Sequence, residues 1–265
     1  MIDCHRHFMF GKARLPVLIE QLCRDGIDRT VLFGYHGLKL FDEPHQQDVQ
    51  IAHFSGEHPG RIIPFFCDFD FYAPGALDYA ERQARSDVFQ GLGEVLMGHT
   101  PIHDTCFPDR RMTDPEPVAV FRLMGECGLP VLVHVDPGFS EDMRRVLQLC
   151  PGTDFIWAHL AYDFLAPYGG VCCEPAEIEA LLDRYPNLYF DISHWKISPI
   201  YLCEDAWQTL LERRNNRFLF GVDMSEDYLT EAVWLGAYRH ALAGLGPGAR
   251  TSISGENLEK LLRER

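Results

Sequence analysis

The chain has no CxxC pair, although it carries nine cysteines, at positions 4, 23, 67, 106, 127, 150, 172, 173 and 203. That absence excludes the common zinc-ribbon and dithiol redox motifs. An odd number of cysteines, mostly inside apolar runs, reads as small buried hydrophobes in a reduced compartment. Cys172 and Cys173 are adjacent, and an ordinary bridge between them would be strained. There is no basic run of five or more, and 24 Lys plus Arg stand against 39 Asp plus Glu, a formal charge of −15. Such a surface repels a phosphate backbone, so neither nucleic acid nor an anionic membrane is an expected partner. No apolar stretch reaches the length of a bilayer span, and Met1-Ile2-Asp3-Cys4-His5 shows no charged-then-apolar leader. The expectation is a soluble cytoplasmic protein. GxSxG and HExxH are both missing, which excludes the serine-hydrolase and thermolysin-type readings. The glycine-rich run Gly244-Leu245-Gly246-Pro247-Gly248 has no strand before it and no Lys-Ser/Thr after it, so it is not a phosphate loop.

With 46% hydrophobic residues, 24% charged residues and no low-complexity stretch, the 265-residue chain has the balance of a globular protein. Two kinds of segment alternate along it. Short apolar runs rich in β-branched and aromatic residues, at 2–5, 30–34, 61–67, 89–94, 131–134, 155–159, 188–191 and 218–221, read as strands buried on both faces. Between them lie helical patterns: Leu15, Leu18, Ile19, Leu22 and Cys23 share one face. So do Val120, Leu123, Met124 and Cys127; Ile178, Leu181, Leu182 and Tyr185; Cys203, Ala206, Trp207, Leu210 and Leu211; and Leu258, Leu261 and Leu262. Helices near 46–57 and 75–85 are less clearly patterned. Eight strands and at least seven intervening helices predict an α/β fold, a (β/α)8 TIM barrel forming a single domain over residues 1–265.

In such a barrel the site lies at the C-terminal strand ends. Strand one ends in His5-Arg6-His7, whose alternation sends both imidazoles to one side and Arg6 to the other. Strand four ends in Glu94, strand five in His134, strand six in His159 and strand eight in Asp223. Four histidines and two carboxylates thus gather at one rim. Imidazole nitrogen and carboxylate oxygen are ligands for Zn²⁺ and, less strongly, for Mn²⁺, Fe²⁺ or Co²⁺. A set without cysteine favours an open catalytic site over a closed structural one. Burying six such groups without partners would cost several kcal/mol, so packing does not account for them.

These residues resemble the amidohydrolase superfamily, in its amidohydrolase-related branch of metal-dependent hydrolases and decarboxylases. The likeness is carried by Ile2-Asp3-Cys4-His5-Arg6-His7, His134, His159-Leu160, Asn187-Leu188-Tyr189-Phe190-Asp191, Phe220-Gly221-Val222-Asp223 and Gly255-Glu256-Asn257. The resemblance implies that His5 and His7 hold a first divalent ion, with Asp223 as a further ligand that takes a proton from attacking water. In two-metal members His134 and His159 would hold a second ion. In one-metal members His134 completes the first site and His159 orients or protonates the substrate. The superfamily's bridging lysine after strand four is missing here, and Glu94 stands as the candidate bridge. The implied cofactor is Zn²⁺, one or two ions, with Mn²⁺ also compatible. The catalytic residues would be Asp223 and His159.

Loops at the mouth set specificity. Asp68-Phe69-Asp70-Phe71-Tyr72 is aromatic enough to flank an organic substrate. The stretch 96–114 is the longest without periodicity, and it carries His99, His103, Arg110 and Arg111. Arg110, Arg111 or Lys196 are available to pair with a substrate carboxylate, and His194, just beyond strand seven, is the expected substrate-binding residue. His36, His45, His53, His58 and His240 read as surface or structural. The leading expectation is a metal-dependent hydrolase of a small amide, lactone or ester-like bond. The alternatives are a one-metal decarboxylase or hydratase, and a barrel that binds without turnover. The expected partner is a small-molecule substrate, and the oligomeric state stays open.

Overall fold

The strands follow the sequence in space, each parallel to the next, in the order β1 (Ile2–Asp3), β2 (Arg29–Leu32), β3 (Ile62–Phe66), β4 (Gly91–Gly98), β5 (Val131–Val135), β6 (Phe155–Trp157), β7 (Leu188–Asp191) and β8 (Phe218–Leu219). This computed structural model describes residues 1–8, 15–161, 174–193, 199–223 and 228–263. Helices occupy the crossovers: α1 (Leu15–Arg24), α2 (Gln46–Glu57), α3 (Ala76–Ala84), α4 (Thr100–Cys106), α5 (Pro115–Glu126), α6 (Ser140–Leu149), α7 (Pro175–Arg184) and α8 (Asp205–Arg213). After β8 follow α9 (Tyr228–Ala243), α10 (Pro247–Thr251) and α11 (Asn257–Arg263). The two edge strands meet through backbone bonds. Cys4 N–H donates to Phe220 O at 2.9 Å and Asp223 N–H to His5 O at 2.8 Å. The sheet closes into a (β/α)8 barrel.

Asp3 acts as the clasp of that closure. Its buried carboxylate accepts from Val222 N–H (3.0 Å), His5 N–H (3.1 Å), Thr30 Oγ (3.0 Å) and Arg6 Nε (3.0 Å). Arg6 does turn away from the histidines beside it, and it is fully buried against Asp3.

Alternation sorts the strand side chains into two layers. Val31, Phe33, Ile63, Phe65, Leu132, Ile156 and Leu219 fill the barrel interior, while Leu32, Phe66, Val131, Val133, Phe155, Phe190 and Phe218 pack under the helices. Two details differ from the sequence reading. Cys23 is exposed and Gln21 buried, because the buried arc of α1 is centred between Leu18 and Leu22 and Cys23 falls beyond its edge. The stretch 96–114 is not one loop, since β4 runs on to Gly98 and α4 occupies 100–106. A helix of seven residues is too short to print a period.

Candidate metal centre

Two of the six predicted ligands point inward by simple alternation. His134 follows the interior Leu132 by two residues on β5, and Asp223 follows Leu219 by four past β8, with φ 50° at its own backbone. On β1 the interior layer holds Ile2 and Cys4, and His5 and His7 follow beyond the strand's end at Asp3. Glu94 and His159 need irregular backbone. On β4, Leu92 pairs with Val131 and Val95 with Val133, so three steps on one strand oppose two on the other. The extra residue makes a bulge that turns Glu94 inward. Gly93 permits it: its φ is +147°, and a Cβ there would lie 2.7 Å from Leu132 Cβ and 2.8 Å from Leu132 O. After β6, Ile156 and Ala158 already face the interior, so His159 would face outward. A left-handed turn through His159, Leu160 and Ala161 (φ 59°, 53° and 58°) swings its ring back.

The six side chains meet. Glu94 Oε2 lies 2.9 Å from His7 Nε2 and 3.5 Å from His5 Nε2, while its Oε1 lies 3.2 Å from His134 Nδ1 and 3.6 Å from His159 Nε2. Asp223 divides in a similar way, with Oδ1 3.3 Å from His5 and Oδ2 3.6 Å from His159. Each carboxylate therefore has one oxygen for the β1 histidines and one for the far side. His5, Glu94 and His159 are sealed, whereas His7, His134 and Asp223 keep a little exposure and form the accessible face.

Hydrogen bonds on the outer nitrogens fix the imidazoles. His5 Nδ1–H donates to Asp191 Oδ2 (2.8 Å), His7 Nδ1–H to Gly34 O (2.9 Å) and His159 Nδ1–H to Ser193 O (3.0 Å). A carbonyl can only accept, so these rings present the lone pair of Nε2 to the centre. His134 is reversed. Its Nδ1 faces Glu94 and its Nε2 lies 3.1 Å from Asp136 Oδ1. Asp136 Oδ2 in turn accepts from Thr100 N–H (2.7 Å) and lies 3.3 Å from His99 Nδ1.

The residues fit a divalent cation. Their donor atoms are 2.9–3.8 Å apart, close to the edges of a polyhedron with metal bonds of about 2.0–2.2 Å. The buried His5 Nε2 has no hydrogen-bond partner among the described residues, although it faces two carboxylates. The electrostatics also call for positive charge. Burial alone would lower the His5 pKa, but Glu94, Asp223 and Asp191 overturn it and hold it well above the ordinary value. Burial likewise opposes the charge on His134, and Asp136 and Glu94 raise it to about 9. Against its own desolvation, Glu94 is held well below the usual carboxylate range by His5 and its other imidazole neighbours.

Other expectations at the mouth are corrected. Arg110 makes a two-pronged pair with Asp70 (3.0 and 3.0 Å) and lies on Tyr72, and Arg111 pairs with Asp142 (3.2 Å). Both bind loops together and are not offered to a substrate carboxylate. Phe69 and Phe71 pack into the core with Phe66, Tyr79 and Phe121, so those aromatics do not flank the mouth. The aromatics beside the site are instead Tyr35, stacked on His7 at 4.3 Å, and Phe33, edge-on to His7 at 4.7 Å and to His5 at 5.2 Å. His194, Lys196 and the 162–173 stretch with Cys172 and Cys173 lie outside the described residues. His36 is structural and wholly buried, taking Leu96 N–H on Nδ1. Sequence reasoning passed over Ser193 and Asp136, and it named Asp191 only within the family motif and His99 only within the mouth stretch, with no role for either. The spacing His134-Val135-Asp136 repeats the logic of His5-Arg6-His7 and is the signal for Asp136.

A sequence model of the amidohydrolase family matches residues 2–263. Comparison with curated proteins finds no match. Among solved structures, a zinc-bound amidohydrolase from Burkholderia multivorans is 14% identical at TM-score 0.72, over 98% of this chain and 98% of that one. The 5-carboxyvanillate decarboxylase of Sphingomonas paucimobilis is 14% identical at TM-score 0.67, over 99% and 98%. The 4-oxalomesaconate hydratase of Rhodopseudomonas palustris is 14% identical at TM-score 0.63, over 99% and 95%. At such identities the likeness is one of fold. Among the described residues no helix is long and apolar enough to cross a membrane.

Proposed function

The chain belongs to the amidohydrolase family, and on that premise we propose that it is a metal-dependent hydrolase of an amide, lactone or ester-like bond in a small organic molecule. The observation that carries this reading is the division of Glu94, one oxygen toward His5 and His7 and the other toward His134 and His159. A carboxylate so placed suits a pair of ions, with His5, His7 and Asp223 holding one and His134 and His159 the other. The nitrogen-and-oxygen donor set suits Zn²⁺, the ion bound by the Burkholderia multivorans structure. Once bound, such ions supply Lewis acidity that makes water a stronger acid and polarises a carbonyl oxygen.

The remaining work belongs to the side chains. Asp223 lies on the accessible face, and its carboxylate receives the proton of the attacking water and passes it to the leaving group. His159, its tautomer fixed by Ser193 O, turns the Nε2 lone pair to the centre beside Asp223 Oδ2, where it would serve the second ion; orienting the substrate instead belongs to the one-ion alternative. His7 and its stacked Tyr35 form one wall of the entrance.

Metal counting by elemental analysis tests the reading. Two ions per chain, falling to one in Glu94→Gln, is the expected result, together with turnover of at least one lactone, amide or ester in a broad panel. A single ion that Glu94→Gln leaves in place, with turnover confined to carboxylates losing CO2 or to hydration, overturns it in favour of a one-metal lyase.

A further inference from the structure

His134 has a carboxylate at each ring nitrogen, Glu94 Oε1 at 3.2 Å from Nδ1 and Asp136 Oδ1 at 3.1 Å from Nε2. A neutral imidazole has one proton and one lone pair. With the proton on Nε2, it donates to Asp136 and Nδ1 faces the centre. With the proton on Nδ1, it donates to Glu94 and the lone pair faces outward. What it meets on that outer side is a second group of donors. Asp136 is buried, and its Oδ2 lies 3.3 Å from His99 Nδ1. The His99 and His134 rings are 4.1 Å apart, and donor atoms of all three residues fall within 4.8 Å of one another.

We propose that His99 Nδ1, the Asp136 carboxylate and His134 Nε2 form a second, outer cation site that shares His134 with the centre. His134 Nε2 lies 3.1 Å from Asp136 Oδ1 and His99 Nδ1 lies 3.3 Å from Oδ2, so the two imidazoles approach different oxygens, each at a distance close to the edge, about 3.3 Å, of a tetrahedron with metal bonds of ~2.0 Å. Two imidazoles and a carboxylate select Zn²⁺ or Co²⁺ over Mg²⁺ or Ca²⁺. The His99 side chain is 21% exposed, which gives an ion a path from solvent and leaves room for water as the remaining ligand. Thr100 N–H, at 2.7 Å, already takes part of the Asp136 charge, so this site is weaker than the centre. The outer site stands without the proposed hydrolase function. Only its consequence rests on that function: an ion outside takes His134 from the second inner ion, which His159 and Glu94 continue to hold more weakly.

Equilibrium dialysis of the full chain against a range of free Zn²⁺, with bound ions counted by elemental analysis, tests the site. The expected result is one equivalent at high free Zn²⁺ beyond the tightly held ions. His99→Ala and Asp136→Asn each abolish that equivalent, and His99→Ala keeps the tight ions. A His99 Nδ1 chemical shift that moves only as the weak equivalent fills provides a second readout in the intact protein. The same ion count in the intact chain and in folded His99→Ala across the whole range overturns the proposal, as does an unmoved His99 resonance. Loss of the tight ions alone, with the weak equivalent kept, counts against the central reading and leaves the outer site standing.

Discussion

The two flanks of the centre are built to different rules. On the β1–β7–β8 flank one buried carboxylate fixes everything near it. Asp191 Oδ2 takes His5 Nδ1–H, while its Oδ1 takes His159 N–H (2.9 Å), Ser193 N–H (3.0 Å) and Ser193 Oγ–H (2.6 Å). His5 and His159 each have here an acceptor for Nδ1–H, Asp191 Oδ2 and Ser193 O, that holds Nε2 toward the centre. On the β4–β5 flank, Glu94 rides on a bulge, His134 lies between two carboxylates, and the chain of contacts runs through Asp136 to the partly exposed His99. One flank sets a tautomer and the other permits two. Fixed geometry therefore comes from gathering several donors on one acceptor, while adaptable geometry comes from setting two acceptors around one donor.

The largest expected effect breaks the first flank. Asp191→Ala strands four buried donors at once and costs about 3–5 kcal/mol of stability, read as a lower urea midpoint. The same variant loses the tightly bound ions, because His5 is then able to turn. Asp136→Ala is expected to cost much less, since its neighbours His99 and Thr100 lie near solvent. Equal losses from the two would erase the distinction between flanks.

A carboxylate outside both flanks sharpens the electrostatic side of the comparison. Asp48 on α2 is buried like Asp191, but among the described residues no imidazole is hydrogen-bonded to it. Its partners are Cys67 N–H (2.9 Å), Asp68 N–H and Tyr79 O–H (2.7 Å), and Asp68 adds like charge. Burial pushes Asp48 up to about 7, while Asp191, equally desolvated, is brought down to about 2 by His5. Below about pH 4 Asp48 is protonated in both the folded and the unfolded chain. Between there and pH 7 the unfolded chain releases its proton and the folded chain keeps it, so stability falls as pH rises. The fall is on the order of 3–4 kcal/mol. Urea midpoints measured from pH 4 to 8 in the metal-free protein are expected to decline more steeply than in Asp48→Asn. Parallel profiles would show that the hydrogen bonds to Asp48 outweigh its burial.

How far these flanks can be read from the sequence follows from the same geometry. The barrel was legible because eight apolar runs and their helical spacers repeat a single unit, and the strand limits agree to within a few residues. That His5 and His7 face one way, and that His134 faces inward, follow from period-two alternation. Glu94 and His159 are harder, since alternation alone sends both to the helical side. A bulge at Gly93 and a left-handed turn at His159–Ala161 bring them in, and neither has a period to detect. Asp191 ends β7 and Asp136 directly follows β5, but a carboxylate that anchors an imidazole has the same sequence signature as one that holds a metal.

The bulge gives the next prediction. Gly93→Ala forces a Cβ against Leu132 Cβ and its carbonyl at 2.7 and 2.8 Å. It is expected to cost about 1–3 kcal/mol and to displace Glu94, lowering the ion count by one. On α2 a Cβ added at Gly56 would meet nothing within 4 Å beyond its own helix backbone, and Gly56→Ala is the control. It is expected to be neutral or to stabilise by up to about 1 kcal/mol.

The smallest expected effect concerns the aromatic stacked face to face on a histidine of the centre, whereas Phe33 meets His5 and His7 edge-on. Tyr35 is placed by Gln47, which accepts its N–H at 2.7 Å and donates to its carbonyl at 3.2 Å, and its ring lies flat on His7 at an angle of 11°. His7 is therefore oriented twice, by a hydrogen bond to Gly34 O and by a stacking contact. Tyr35→Leu removes only the contact, which is worth about 0.5–1.5 kcal/mol. The Nδ1–H bond remains, so the ring still presents Nε2 and metal affinity falls by about tenfold at most. Competition with a chelator of known affinity measures that fall. If Tyr35→Leu weakened the ions as much as Asp191→Ala, ring stacking rather than hydrogen bonding to the outer nitrogens would govern how these imidazoles face their metal. The contrast between one fixed and one adaptable flank would then lose its physical basis.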